Sequence, residues 1–163
     1  MSSSETNTDF NLDDILAALE SPLTSEEYLN YLPLTQALEK SSLFAKADGF
    51  GELYEFIRQE LYGYKSQIPN YRYVCLSYFD TGGQIVDGLD KYSIYPIVTE
   101  VCKLEMHLKN GLTLVLPKQV LMFLSQTIGH EVATGHVSSP VIKNLLEAIR
   151  DEAIVRVKKT IKN

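Results

Sequence analysis

The order and spacing of the apolar residues predict an α+β fold. We expect N-terminal helices, a central antiparallel sheet of about four strands, and two C-terminal helices packed on that sheet. Residues 11–63 show the three- and four-residue spacing of amphipathic helices, and residues 118–162 return to it. Between them, residues 70–117 are rich in β-branched and aromatic residues and in turn signals. Since the connections there are short, parallel crossovers between neighbouring strands are excluded.

Length and composition indicate one domain that folds without disulfides. The chain has 163 residues, 45% of them hydrophobic, and two cysteines. We expect residues 11–163 to form a single α+β domain after a disordered segment at 1–10, whose small polar residues offer little to bury. Cys75 and Cys102 lie in apolar runs, so reduced core thiols are expected. No apolar run reaches the ~18 residues of a membrane span, and no secretory signal is visible, so we expect a cytoplasmic protein.

Helix start and stop signals divide the acidic residues 11–63 into helices. Thr24 and Glu27 have the spacing of a capping box, which predicts a helix start. Pro33 interrupts the pattern, so a break is expected near Leu32. Gly63 supplies a left-handed stop. The expected helices cover residues 11–20, a stretch from 24, 34–40 and 50–62, with a further turn over 42–47.

Strand and turn signals follow, and then helical spacing returns. The Asn110-Gly111 pair favours a tight turn, and alternating apolar residues on both sides of it predict a hairpin over Cys102–Leu116. Pro96 restricts its own strand to an edge or a bulge. The expected strands cover Tyr71–Phe79, Gln84–Asp87, Tyr92–Val98 and the two arms of the hairpin. Two helices are then expected, a deeply buried one over Lys118–Val132, stopped at Thr134-Gly135, and a last one from Ser139-Pro140 to about Ile161.

Charge is distributed unevenly along the chain. Residues 1–60 carry twelve acidic and three basic side chains, whereas residues 61–163 carry nine acidic and twelve basic ones. An acidic first third repels phosphate backbones, so nucleic-acid binding is not expected. A basic cluster lies near the C-terminus: Arg156, Lys158, Lys159 and Lys162. Such cations complement the dipole of a helix end, and they also offer a contact for an acidic or a phosphate-bearing partner.

The segment Asp80-Thr81-Gly82 resembles the Asp-Thr-Gly signature of aspartic peptidases. In that family a pair of carboxylates shares a proton and activates water, so the resemblance implies that Asp80 is one half of a homodimeric active site. The competing interpretation is a hairpin turn, because aspartate followed by glycines is common turn chemistry. We favour the turn, and Asp80 stays a weak catalytic candidate.

The segment from His130 to His136 is similar to a metallopeptidase helix with an insertion. A zinc-binding helix needs its histidines four residues apart, which places both on one face. Here they are six apart, with Glu131 beside the first and Gly135 before the second. His130 and His136 are therefore weak metal-ligand candidates, and we expect no metal and no cofactor.

Tyrosines and the last helix indicate a surface for protein contact. Five of the ten tyrosines lie between Tyr62 and Tyr78, and the chain has no tryptophan. Tyrosine combines a large apolar ring with a polar tip, which suits a sheet face covered by the N-terminal helices or a protein interface. The last helix has an apolar arc wider than one sheet face requires, so its flank near Leu146, Ile154 and Ile161 is expected to contact the N-terminal helices or a second subunit. The candidate partner-binding residues are Tyr71, Tyr73, Leu146, Ile154, Arg156, Lys158 and Lys159.

From these observations we predict a non-enzymatic protein that acts through protein–protein contact, in a regulatory or assembly role. Its partner is another protein or a second copy of the chain in a homodimer. The alternative is a hydrolase that uses Asp80, or a metal site at His130, Glu131 and His136.

Overall fold

A computed structural model describes residues 12–21 and 32–162. The expected disordered start and the predicted helix from Thr24 lie outside these residues. The described part is α+β, with antiparallel sheets. Its helices are α1 (Leu12–Leu19), α2 (Pro33–Ala47), α3 (Gly51–Tyr62), α4 (Val101–Met106), α5 (Lys118–Ile128) and α6 (Ser139–Lys162). Its strands are β1 (Tyr73–Cys75), β2 (Ser77–Phe79), β3 (Ile85–Val86), β4 (Ile94–Pro96), β5 (Leu112–Leu114) and β6 (Thr134–Val137).

The helix α2 is continuous, whereas the sequence predicted a short helix and a separate turn. Pro33 is its first residue, a position where the fixed φ and missing N–H of proline are tolerated. The cap comes from a distant element. The buried carboxylate of Glu105 in α4 accepts the backbone N–H of Leu34 at 3.0 Å and that of Thr35 at 2.6 Å. A residue seventy positions away thus anchors the start of α2.

The strands form two antiparallel sheets. A two-stranded ribbon pairs β1 with β4, and a four-stranded sheet has the order β3-β2-β6-β5. The predicted strand Tyr71–Phe79 is therefore divided. Tyr71 lies in a 3-10 turn at Asn70–Arg72, and the strand breaks at Leu76 between β1 and β2. The side chain of Leu76 at this break is buried. Because the strand breaks here, one run of sequence contributes β1 to the ribbon and β2 to the four-stranded sheet.

The predicted hairpin over Cys102–Leu116 is wrong in its first arm, which is the helix α4. Val101, Leu104 and Leu108 are all buried, and their spacing is that of a helix face. Met106, which the alternating pattern placed in the core, is exposed. The second arm is the strand β5, but its partner is β6.

Strand β6 was not predicted, because Thr134-Gly135 was interpreted as a helix stop. In the structure α5 ends earlier, at Gly129, whose φ of 69° is left-handed. Gly135 lies inside β6, where an added Cβ would lie 3.0 Å from Leu76 and 3.2 Å from Leu116. The sheet therefore needs glycine here for close packing. The expected deep burial of α5 is also wrong, since Leu124 is its one fully buried residue while Met122 and Phe123 are exposed.

The core lies between the helices and the sheets. Its buried side chains come from all six described helices, with Leu124 the contribution of α5, from the strands and from their connections. The long C-terminal helix α6 is confirmed over Ser139–Lys162, contacts the three N-terminal helices, and packs on β1. Within residues 12–21 and 32–162, no helix is long and apolar enough to cross a membrane.

Candidate functional site

The ribbon of β1 and β4 presents an apolar face to solvent. Tyr73 lies opposite Pro96, and Cys75 lies opposite Ile94. Directly opposed residues of an antiparallel pair share a face, so these four side chains form one surface, which we call the ribbon face. Tyr73 is 45% exposed and Ile94 is 58% exposed. All four residues lack charge, which is unusual for a solvent-facing strand surface.

The opposite side of the ribbon packs on the core. Val74 and Tyr95 are directly opposed and partly buried against core residues. Alternation along each strand therefore places one pair inside and the ribbon face outside. Cys75 belongs to the outer face and is exposed, so the expectation of a core thiol is wrong for this residue.

A buried ion pair fixes the ribbon to α3. The guanidinium of Arg72 and the carboxylate of Glu60 are in contact, and both side chains are fully buried. Arg72 also donates to the backbone carbonyl of Ile97 at 2.8 Å and to that of Thr99 at 2.7 Å, just beyond β4. The side chain of Arg72 thus connects α3 to the segment before β1 and to the segment after β4. We call the set Glu60, Tyr64, Tyr71 and Arg72 the buried clamp.

Two tyrosines complete the buried clamp. The hydroxyls of Tyr64 and Tyr71 both donate to Oε1 of Glu60, the former at 2.6 Å. The guanidinium of Arg72 lies 4.8 Å from the ring centre of Tyr64. Burial raises the pKa of Tyr71, and the negative charge of Glu60 raises it further. Burial likewise raises the pKa of Tyr64, together with its hydrogen bond to Glu60. The half-buried Tyr71, a predicted partner-binding residue, therefore supports the buried clamp through its hydroxyl and is not part of the ribbon face.

A second surface is the groove between α3 and the end of α6. One section of about 290 Å³ is lined by Glu52 and Leu53 of α3 and by α6 residues that include Arg156 and Lys159. An adjoining section of about 350 Å³ is lined by Glu52, Glu55 and Arg156, among others. The sequence predicted Arg156 and Lys159 as partner-binding residues, and the structure brings them together on one wall.

The other predicted partner-binding residues of α6 lie elsewhere. Leu146 is fully buried, so it belongs to the core of this chain and offers no surface to a partner. Ile154 is half-buried against the core. Lys158 approaches Glu20 of α1 at 3.9 Å, away from the groove. The sequence predicted that this flank of α6 contacts the N-terminal helices or a second subunit, and in the structure α6 contacts α1, α2 and α3.

The two alternative catalytic candidates meet in the structure. Nε2 of His130 lies 3.2 Å from Oδ2 of Asp80, fifty residues away in the sequence. Asp80 also caps its own hairpin turn, because Oδ1 accepts the backbone N–H of Gln84 at 2.9 Å. This hydrogen bond and the one from His130 lower the pKa of the Asp80 carboxyl group. The turn interpretation therefore describes the local backbone, and His130 is an additional partner.

His136 has a different neighbour. It lies in β6, with Nδ1 at 3.1 Å from the hydroxyl of Thr113 in β5. In the described part of the chain, no group of three histidine, cysteine or carboxylate side chains is placed to hold a metal ion. The described residues thus do not assemble the metal site that His130, Glu131 and His136 suggested.

A known protein family covers most of the chain. The AbiTii family model matches residues 23–155. The chain belongs to the AbiTii family. No curated protein matches it, and neither does any solved structure.

The residues matched by the family model contain the ribbon face but not the basic residues of the groove. The AbiTii region includes the ribbon face, the buried clamp and the Asp80–His130 contact. Arg156 and Lys159, which form the basic wall of the groove, lie just beyond its last matched residue. The ribbon face thus lies within the matched residues, whereas the basic wall lies outside them.

Proposed function

We propose that this AbiTii protein is a non-enzymatic, regulatory component of abortive infection that acts in the cytoplasm by binding another protein. The ribbon face is the proposed contact surface. The observation that carries the proposal is the uncharged outer face of Tyr73, Cys75, Ile94 and Pro96. Exposed apolar side chains grouped on one face are typical of a protein contact.

The rigidity of the ribbon supports the same proposal. Its inner side is packed on the core, and the buried clamp fixes both of its ends. A preorganised surface loses little conformational entropy when a partner binds, so more of the contact energy appears as affinity. Large apolar side chains such as Tyr73 and Ile94 supply that contact energy at the centre of interfaces.

Paired variants test the proposal in an extract of the cells that naturally make the protein. Tyr73→Ser with Ile94→Ser removes the apolar surface, whereas Leu43→Ser with Val115→Ser removes two exposed apolar side chains elsewhere. Captured proteins are compared by quantitative mass spectrometry. We expect the wild type and the control to capture equal amounts of the same partner. The ribbon variant should capture at least about tenfold less of it. Equal capture by all three, with equal melting temperatures, would exclude the ribbon face.

A second function is favoured by the contact between Asp80 and His130. If Nε2 of His130 donates to the carboxylate, Nδ1 keeps a lone pair that can accept a proton from water. This arrangement suits a general base in a hydrolase. Casein and p-nitrophenyl acetate are suitable probes. Asp80→Asn and His130→Ala should both reduce hydrolysis, while His136→Ala should not. Wild type without activity on either probe would remove this function.

A further inference from the structure

The groove between α3 and α6 has walls of opposite charge. Glu52 and Glu55 line it from α3, and both are exposed. Arg156 and Lys159 line it from α6, and both are exposed as well. Arg58, the cation of α3, stacks on Tyr54 and Tyr62 and lines a neighbouring pocket together with Glu55, but it does not line this groove. The groove therefore has an acidic wall and a basic wall.

Arg156 is held in a defined position on the basic wall. Its guanidinium lies 4.2 Å from the ring centre of Phe56, and its Nε donates to Glu152 at 2.8 Å. Stacking and a charge-assisted hydrogen bond restrict a side chain that is otherwise flexible. Glu152 offsets one positive charge, so Lys159 leaves the wall with a net positive charge.

No direct ion pair joins the two walls within the described part of one chain. In residues 12–21 and 32–162, no carboxylate of α3 forms an ion pair with a cation of α6. A two-fold axis that runs along such a groove places the acidic wall of each copy opposite the basic wall of the other. We propose that this groove is the contact between two copies of the chain in a homodimer. Charge complementarity selects a second copy as the occupant, because both walls are satisfied at once.

The proposal concerns a different surface from the ribbon face and does not depend on it. The exposed apolar side chain of Val155, which also lines the groove, would lie near the centre of the contact. The contact should weaken with salt, since the Debye length falls from about 10 Å at 0.1 M ionic strength to about 3 Å at 1 M. A ribbon-face partner would be less sensitive, because that face carries no charge.

Charge exchange between the walls tests the proposal. One variant combines Arg156→Glu and Lys159→Glu, which makes both walls acidic. The other combines Glu52→Lys and Glu55→Lys, which makes both walls basic. Sedimentation velocity should show a dimer for wild type and at least about tenfold weaker dimerisation for each variant alone. An equimolar mixture of the two should restore the dimer, because every acidic wall then meets a basic one.

The mixture also controls for folding, since a misfolded variant could not restore assembly. Lys159→Glu alone is a milder variant that leaves the Arg156 contacts intact and should weaken the dimer in the same direction. Lys118→Glu with Lys143→Glu, which reverses two exposed cations outside the groove, should leave the dimer unchanged. A wild-type monomer at all concentrations would overturn the proposal. So would a dimer that survives both variants, or two weakened variants that do not recombine.

Discussion

Glu60 and Arg72 form an ion pair in which neither side chain is exposed to solvent. The pair joins α3 to the turn that precedes β1. Burying two charges is unfavourable unless each is well paired and hydrogen-bonded. Here the tyrosine hydroxyls and the carbonyls of Ile97 and Thr99 supply those additional bonds. The position of the ribbon face therefore depends on a charged contact inside the protein.

Removal of one charge of this pair should strongly destabilise the fold. Arg72→Met leaves Glu60 buried without its cation, so we expect a loss of about 3–5 kcal/mol in the free energy of unfolding. Urea denaturation measures it. The double variant Glu60→Leu with Arg72→Met should lose less than Arg72→Met alone, because no charge remains unpaired. Arg58→Met, which changes an exposed arginine of α3, is the control. An Arg72→Met protein as stable as that control would contradict the role of the pair.

Alkaline pH should destabilise the protein through the tyrosines of the buried clamp. The pKa values of Tyr64 and Tyr71 are raised in the folded protein by burial first. The contribution of these two hydroxyl groups to the free energy of unfolding is fully present below the unfolded pKa of about 10. It declines as the pH rises above that value. Urea midpoints between about pH 9 and about pH 11 should fall in wild type and fall less in Tyr71→Phe. The same pH dependence of the urea midpoint in wild type and Tyr71→Phe would contradict this role of Tyr71.

The helical and strand regions were predictable where the apolar period was unambiguous. The helices α3 and α6 follow regular spacing and were predicted within about two residues at each end. The first arm of the predicted hairpin was not, because Cys102 to Leu108 satisfies both alternation and helical spacing. Burial decides between the two, and it depends on α2 and α6, which contact α4 from distant parts of the chain.

Glu105 should contribute to stability through the start of α2. Glu105→Gln keeps the shape of the side chain but replaces a charged acceptor of two backbone N–H groups. We expect a loss of about 1–2 kcal/mol, the scale of a helix cap. Thermal or urea denaturation measures it, with Glu131→Gln, an exposed carboxylate, as the control. An unchanged midpoint would show that α2 does not depend on this cap.

Gly111 should tolerate no side chain. Its φ is 79°, and an added Cβ would lie 2.6 Å from the carbonyl oxygen of Val137 and 2.5 Å from His136. Gly111→Val combines a strained backbone with this clash, so a loss of at least about 1–3 kcal/mol is expected. Gly49→Val, whose φ is also left-handed but which has open space, controls for backbone strain. Equal melting temperatures for the two variants would contradict the close approach.

The candidate surfaces were only partly predictable. Tyr73 was identified from its residue type and position, and Arg156 and Lys159 from their charge. The register that places Ile94 beside Cys75 requires pairing between strands nineteen residues apart, for which short strands give little pattern. The Asp80–His130 contact likewise arises only when α5 ends beside the β2–β3 turn. Residue types marked the candidates, and tertiary packing decided their neighbours.

The pKa of Asp80 should depend more on its turn than on His130. The backbone N–H of Gln84 lowers this pKa most, and the hydrogen bond from His130 lowers it further. His130→Ala should therefore raise the pKa while leaving it below the ordinary value of about 3.9. Since the pKa of Asp80 is lowered in the folded protein, its contribution to stability is present above the ordinary, unfolded value. This contribution is lost as the pH falls through the folded pKa. Carboxyl NMR titration measures the shift, with Glu131→Ala as the control. No change in His130→Ala would contradict the contact.

Thiol labelling in a native extract tests most directly whether a protein partner covers the ribbon face. Cys75 lies on that face and is exposed, while Cys102 lies in α4, outside it, and serves as the internal reference. The labelling rates of both cysteines are compared by mass spectrometry between purified protein and extract. We expect the rate of Cys75 relative to Cys102 to fall by at least about tenfold in the extract, as a partner excludes solvent from the contact. An unchanged ratio, with the protein intact and at natural abundance, would contradict the proposal that the ribbon face is the contact surface.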